Sequence, residues 1–348
     1  MQPEYRSLLE AVQHNCLIAD ARHAGDFTLC TYLMKMRELY RWEQRLALDA
    51  PLSNEAVGQW VREREQLWEA VEGRDYTPLP LADAHYDPFD SAAVNARLLD
   101  NGLVYSAGLG RGSAAHFFLA DLEAVREYDG CRVLVAGREY ARDLASPPAM
   151  TLGETIFVRR ETFRRLLWER LQEWRWNRCD TPLGRAVARC GVPEDDVEGL
   201  LDRLVDGQIE TLVLHELGEV AAGRGIEGDW QALLAGVAGS KAELLARAVR
   251  DNLADVLSTL PALLEEGRAD RLHFYFSTFT PLRRQLFPRL WQGYQDWHER
   301  GDDAALRAAV AAGRDHWRQV MDEALALYAG AGQSAARPLA ELLEAARL

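Results

Sequence analysis

Apolar residues recur at helical spacing along most of this chain, but between residues 81 and 157, after a short helix over 91–99, that spacing gives way to short β-like runs. Leu8, Leu9, Val12, Cys16, Leu17 and Ala19 predict a helix over 4–24. Asp26 can cap a second, over 27–48, with Leu29, Leu33, Met36, Tyr40 and Leu46 turned inward. A third, polar helix is expected over 54–72, carrying Trp60, Val61, Leu67 and Trp68. From Phe157 helical spacing returns over 159–176 and 181–190, and Pro193-Glu194-Asp195-Asp196 opens the next helix with acids in its first turn. Further helices are expected over 242–259, 281–300, 303–328 and 338–347.

The interval between holds Leu103-Val104-Tyr105, His116-Phe117-Phe118-Leu119 and Cys131-Arg132-Val133-Leu134-Val135, short β-like runs divided by Gly-rich or Asp-Gly turns. The expected fold is therefore mainly α, a multi-helix bundle with a small strand-containing (α+β) insertion. Its regions are an N-terminal helical part (1–80), the strand module (81–157) and a C-terminal helical domain (158–348). At 348 residues the chain exceeds what one core usually organises.

The formal net charge is −14, which argues against a general nucleic-acid or anionic-membrane binder while leaving room for a local basic patch. Lys35 and Lys241 are the only lysines, so the positive charge is almost all arginine. No run of eighteen apolar residues predicts a membrane span, and residues 1–20 lack the basic and apolar regions of a secretory leader. Cys16, Cys30, Cys131, Cys179 and Cys190 are odd in number and contain no Cys-x-x-Cys pair, so a reducing cytoplasm is expected.

The densest chemistry is His-Glu-Leu-Gly-Glu at 215–219. On a helix His215 and Glu219 share one face. The motif stops one residue short of the zinc-protease signature His-Glu-x-x-His, with Glu219 where the second histidine would stand. Carboxylates also ligate metals, and histidine with carboxylates suits a di-iron or di-manganese bundle centre. Cys16, Asp20 and His23 form a second helical stripe, with Glu38 downstream. There the simpler expectation is a core cysteine, an aspartate paired with Arg22 or Arg37, and a histidine ending the helix. Asp251 and Asp255 are four apart, a spacing that acidic solvated faces also show. His273 lies in an aromatic run, more in keeping with a hydrogen-bonded core histidine than with a ligand; Tyr275 beside it could serve as an acid or a redox phenol. Gly108-Leu109-Gly110-Arg111-Gly112 has neither a dinucleotide fingerprint nor a P-loop, and a hairpin loop is favoured over phosphate binding. Trp168, Trp174, Trp176, Trp291 and Trp297, with neighbouring arginines, offer either a partner groove or homo-oligomer interface, or core packing under arginine stems; packing is favoured.

The stretch from His14 to Glu43, His-Asn-Cys-Leu-Ile-Ala-Asp-Ala-Arg-His-Ala-Gly-Asp-Phe-Thr-Leu-Cys-Thr-Tyr-Leu and onward through Lys-Met-Arg-Glu to Arg-Trp-Glu, resembles the opening of a proteobacterial family of unknown function. The resemblance implies a bacterial, cytoplasmic protein with a helical N-terminal part. It brings no activity, cofactor or catalytic residue.

Together these features lead to an expected metal-binding protein or metal-dependent enzyme, oxidoreductase or hydrolase, acting on a small-molecule substrate. Its expected shell is His215, Glu219, Asp20 and His23, completed by Glu38 or His273, with Glu216 as proton shuttle. A mixed nitrogen and oxygen shell suits iron, manganese or zinc. The competing expectation is a non-catalytic helical scaffold or adaptor for a protein partner, in which the same polar groups form structural networks.

Overall fold

A computed structural model describes residues 5–128, 130–176, 179–193 and 195–348. Glu4, Asp129 and Glu194, which belong to an expected helix start, turn and first helical turn, lie outside the described residues. The chain divides into two compact units: Met1–Leu152 with Phe157–Glu169, and Gly153–Ile156 with Arg170–Leu348.

The first unit opens with helices α1 (Arg6–His23), α2 (Leu29–Glu43) and α3 (Asn54–Glu69), followed by a short hairpin of β1 (Leu79–Leu81) and β2 (Ala84–Tyr86) and by α4 (Ser91–Leu98). A five-stranded sheet follows, built from β3 (Leu103–Leu109), β4 (Ala115–Tyr128), β5 (Cys131–Arg142), β6 (Ala149–Leu152) and β7 (Thr155–Arg159), in the order β3-β4-β5-β7-β6. The three β-like runs of the sequence form β3, β4 and β5. The glycine-rich stretch is the β3–β4 hairpin, in which Leu109 pairs with Ala115. Gly130, at φ +83°, takes the left-handed conformation in the β4–β5 turn, where a Cβ would be strained.

The sheet is larger than a small insertion. Strands β4 and β5 run 14 and 12 residues, paired antiparallel from Tyr128↔Cys131 to Phe118↔Arg142. Only their doubly buried parts look apolar in sequence. Tyr105, Phe117 and Leu119 on one face join Leu8, Val12 and Cys16 of α1 in a single core. On the other face Val104, Phe118, Ala120 and Leu134 pack with Phe157. This period-2 alternation with both faces covered explains the unbroken His-Phe-Phe-Leu-Ala run. The solvated half of β4, with Glu123, Arg126 and Glu127, lacks such a signal. On α2 the face that finds neighbours is Tyr32, Met36 and Leu39; Leu29 and Leu33, expected inward, are exposed.

Helix α5 (Arg160–Trp176) crosses the division of the chain. The second unit is helical: α6 (Pro182–Ala188), α7 (Val197–Gly223), α8 (Glu227–Gly236), α9 (Lys241–Ala254), a π-helical turn at Asp255–Thr259, α10 (Leu260–Glu266), α11 (Ala269–Thr278), α12 (Pro281–Leu286), α13 (Pro288–Arg300), α14 (Ala304–Ala331) and α15 (Ala336–Ala345). Helix α7 starts at Val197 rather than at Pro193, because the Asp196 carboxylate accepts from Gly199 N (3.0 Å) and makes Asp196 the cap. The helix expected over 281–300 breaks at Phe287, whose φ/ψ of −124°/58° is forced out of the helical region by Pro288. Trp230, Leu245, Val249, Leu260, Phe276 and Trp317 lie in the main core of this unit. No helix among the described residues is long and apolar enough to cross a membrane.

Candidate metal centre

Two helices of the second unit are brought into contact by a glycine. A Cβ on Gly218 of α7 would collide with the backbone O, C and Cα of Ala254 on α9. Glycine costs about 1 kcal/mol relative to alanine within a helix, and here it permits an approach no side chain would allow. On α7, His215 and Glu219 flank this contact. On α9, Asp251 stands three residues before Ala254 and Asp255 directly after it.

Asp255 also begins the π turn. Pro261, without an N–H, cannot donate to the carbonyl four residues back, and the ladder shifts so that Leu260 N bonds Asp255 O. The Asp255 carboxylate is 1% exposed and saturated. Its Oδ1 accepts from His215 Nδ1 and Thr259 Oγ1, each at 2.8 Å, and its Oδ2 accepts from Tyr275 OH (2.8 Å) and Arg283 Nη2. Arg283 is in turn held by Asn252 Oδ1 (2.9 Å). Burial pushes this carboxyl upward. Arg283 and then His215 outweigh burial and hold it well below the usual carboxylate range.

With Nδ1 committed to Asp255, His215 has Nε2 left for a ligand. One ligand atom each from His215, Glu219 and Asp251 lies within 4.8 Å of the others. Among the described residues this is the group of three or more His, Cys, Asp or Glu side chains close enough to hold an ion. Burial lowers the His215 imidazolium, but Asp255 and then Asp251 and Glu219 overcome that and raise it to about 10. Glu219 is raised to about 7 by burial and by the Asp251 charge, against the pull of Arg250 and His215. Arg250 Nε lies 2.5 Å from Glu219 Oε2, while its Nη atoms donate to Glu227 at 2.8 and 3.2 Å.

A divalent cation fits this donor set. One imidazole nitrogen and two carboxylates make a mixed shell of the kind iron, manganese and zinc accept. Asp255 stands where an outer carboxylate commonly orients a ligating histidine through its second nitrogen. Glu219 is raised by burial first and by the facing Asp251 carboxylate second. A cation would relieve both that repulsion and the hold of Arg250 on Glu219.

The other residues singled out from sequence have partners of their own. Asp20, in the first unit, is buried and accepts from Leu144 N (2.7 Å); burial and the Asp143 charge push its carboxyl well upward. His23 Nδ1 lies 3.1 Å from Asp26 Oδ2, and Glu38 is paired with Arg41 (3.2 Å) and Arg165 (3.4 Å). Cys16 is a core residue whose Sγ donates to Phe117 O (3.4 Å). In the second unit His273 is buried, and its Nδ1 meets Tyr294 OH at 2.9 Å. Burial, then the Arg189, His298 and Arg185 charges, lower His273 to about 4, leaving it neutral. The centre thus joins His215 and Glu219 to Asp251 and Asp255, not to Asp20, His23, Glu38 or His273. Arg250, Arg283 and Thr259 carried no sequence signal of their own. Gly218 inside an apolar helix and Pro261 six residues after Asp255 are the signals from which the close approach and the distorted turn could have been read.

A family described as a family of unknown function (DUF6866) matches the chain in both its parts, its N-terminal domain over residues 7–159 and its C-terminal domain over residues 164–346. No curated protein and no solved structure matches.

Proposed function

We propose, for a chain that belongs to the DUF6866 family of unknown function and inherits no activity from it, that its second unit binds one divalent cation. His215, Glu219 and Asp251 are the ligands, and iron, manganese or zinc is the ion. The observation that carries this is the convergence of three ligand atoms within 4.8 Å from two helices, with Asp255 holding the histidine by its Nδ1. The bound cation would act as a Lewis acid or redox centre toward a small-molecule substrate. Glu216 is close enough for its charge to raise Glu219, and it is the proton shuttle in this scheme. Asp255, Tyr275 and Arg283 keep the imidazole oriented and take no part in proton transfer. The same proposal places the protein in a bacterial cytoplasm.

A second function is supported by the arginines. Glu219 is bridged by Arg250 and Asp255 by Arg283, as in a purely structural network within a helical adaptor. Elemental mass spectrometry separates the two. The protein, purified without chelator or nickel resin, is measured beside Asp251→Asn and His215→Ala. Near-stoichiometric iron, manganese or zinc that both variants lose while still folded supports the cation site. Metal-free wild type that takes up none of the three ions on dialysis leaves the structural network.

A further inference from the structure

Arg250 of α9 holds two carboxylates from different helices. Glu219 lies near the end of α7, and Glu227 is the first residue of α8. The two holds are unequal. Toward Glu227 the guanidinium is well aligned: Nη2 donates to Oε2 at 2.8 Å and Nη1 to Oε1 at 3.2 Å, the fork geometry of a paired arginine and carboxylate. Toward Glu219 it is close but poorly aimed. Nε lies 2.5 Å from Oε2, yet this buried N–H has no hydrogen-bond partner, and Nη2 reaches only the Glu219 backbone O, at 3.4 Å. The contact with the Glu219 carboxylate is thus an ion pair without a directed hydrogen bond, and it is the weaker of the two.

Gly223 keeps the better pair in place. A Cβ there would stand 2.1 Å from Glu227 Oε2 and 3.3 Å from Arg250 Nη2. Arg250 and Glu219 are largely buried, whereas the Glu227 side chain is 49% exposed. An arginine that lets go of Glu219 therefore keeps a two-bonded partner toward the surface, and does not become a bare buried charge. A guanidinium does not lose its proton, so Arg250 can release Glu219 only by moving. A second positive charge arriving on Glu219 supplies the reason to move, since like charges this close repel strongly.

We propose, resting on the cation site described above, that Arg250 is its built-in competitor. In the metal-free protein Arg250 neutralises Glu219; when a cation binds, Glu227 alone carries Arg250. The Glu219–Arg250–Glu227 bridge thereby sets the cation concentration to which the centre responds. Only molecules in which Glu219 is released are competent to bind, and the apparent affinity is lowered by that fraction.

The test is a double-mutant cycle on zinc affinity, measured by titration calorimetry of the full-length protein and counting only the uptake that His215→Ala abolishes. Arg250→Met should bind zinc roughly tenfold more tightly than wild type, because the competitor is gone. Glu227→Gln should bind more weakly than wild type, because Arg250 then has only Glu219 to neutralise it. In the double variant the Glu227 effect should disappear, since it acts through Arg250. Additive effects would mean that the two charges merely shift the local potential, and they overturn the proposal. So does an Arg250→Met that binds zinc no better than wild type. Both results leave the cation site standing. Absence of His215-dependent uptake from wild type and Arg250→Met alike removes the cation site, and the proposal with it. Glu227→Gln changes a half-exposed side chain and is expected to fold; unchanged or tighter binding there overturns the proposal whatever the stability of Arg250→Met.

Discussion

Gly218 and Ala254 touch backbone to backbone, and this contact sets His215 and Glu219 of one helix against Asp251 and Asp255 of the other. Helix propensity alone would favour alanine at position 218 by about 1 kcal/mol. The packing decides otherwise, since the added methyl can only be seated by parting two helix backbones, and overpacking of this kind costs about 1–3 kcal/mol or more. Gly218→Ala should lower stability in urea denaturation and weaken cation uptake together. Gly207→Ala is the control: on the same helix, its Cβ would meet nothing within 4 Å, and the exchange should stabilise by about 0.4–1 kcal/mol. Equal responses at the two glycines would remove the close contact as the organiser of the centre.

Asp255 is a buried carboxylate that accepts from His215, Thr259, Tyr275 and Arg283. Asp255→Ala leaves Arg283, Tyr275 and His215 facing a buried void, and breaking a buried pair in this way costs about 3–5 kcal/mol. The exposed pair Arg337–Glu341, at 91% and 65% exposure, should tolerate Arg337→Ala without a measurable change. Chemical denaturation of both variants checks the contrast. A mild effect at Asp255 would show that solvent replaces its partners.

The raised His215 imparts a pH dependence to the metal-free protein. A histidine whose folded value stands near 10 against an ordinary 6.5 binds its proton more tightly when folded. Its contribution is complete below about 6.5 and is lost as pH rises toward 10. Stability in the presence of chelator should fall between these limits. In His215→Gln that part of the slope should vanish. A wild-type protein of constant stability from pH 6.5 to 10 would contradict the pairing with Asp255.

Cation binding should release protons. At pH 7 His215 holds a proton it must shed to ligate, and Glu219, near 7, holds part of another. Titration calorimetry with zinc in buffers of different ionisation enthalpy should therefore report between one and two protons released per ion. Uptake without proton release would mean that His215 is not a ligand.

Much of this architecture is legible in the sequence. Most helices announce themselves through neighbours three and four residues apart, so Leu8–Val12–Cys16 and His215–Glu219 could be placed on their faces from local spacing alone, whereas the short helices α8, α10 and α11 were not among those expected. The doubly buried parts of β3, β4 and β5 were equally visible, because burial on both faces leaves an apolar run. The solvated extension of β4 was not, since its residues obtain strand structure from pairing with β5 and not from their own composition. The same limit applies to the centre. Asp251 and Asp255 showed the right spacing but no direction, and nothing in the chain says which helix they face. That was decided by the fit of Gly218 against Ala254, by the turn that Pro261 imposes, and by Arg283 arriving from 28 residues away to neutralise Asp255. Asp20, His23 and Glu38 carry equally suitable side chains, yet they spend them on Leu144, Asp26 and two arginines of the first unit. Side-chain chemistry and periodicity are local properties and survive in the sequence. Which donors meet is a property of packing between distant segments, and only the tertiary structure holds it.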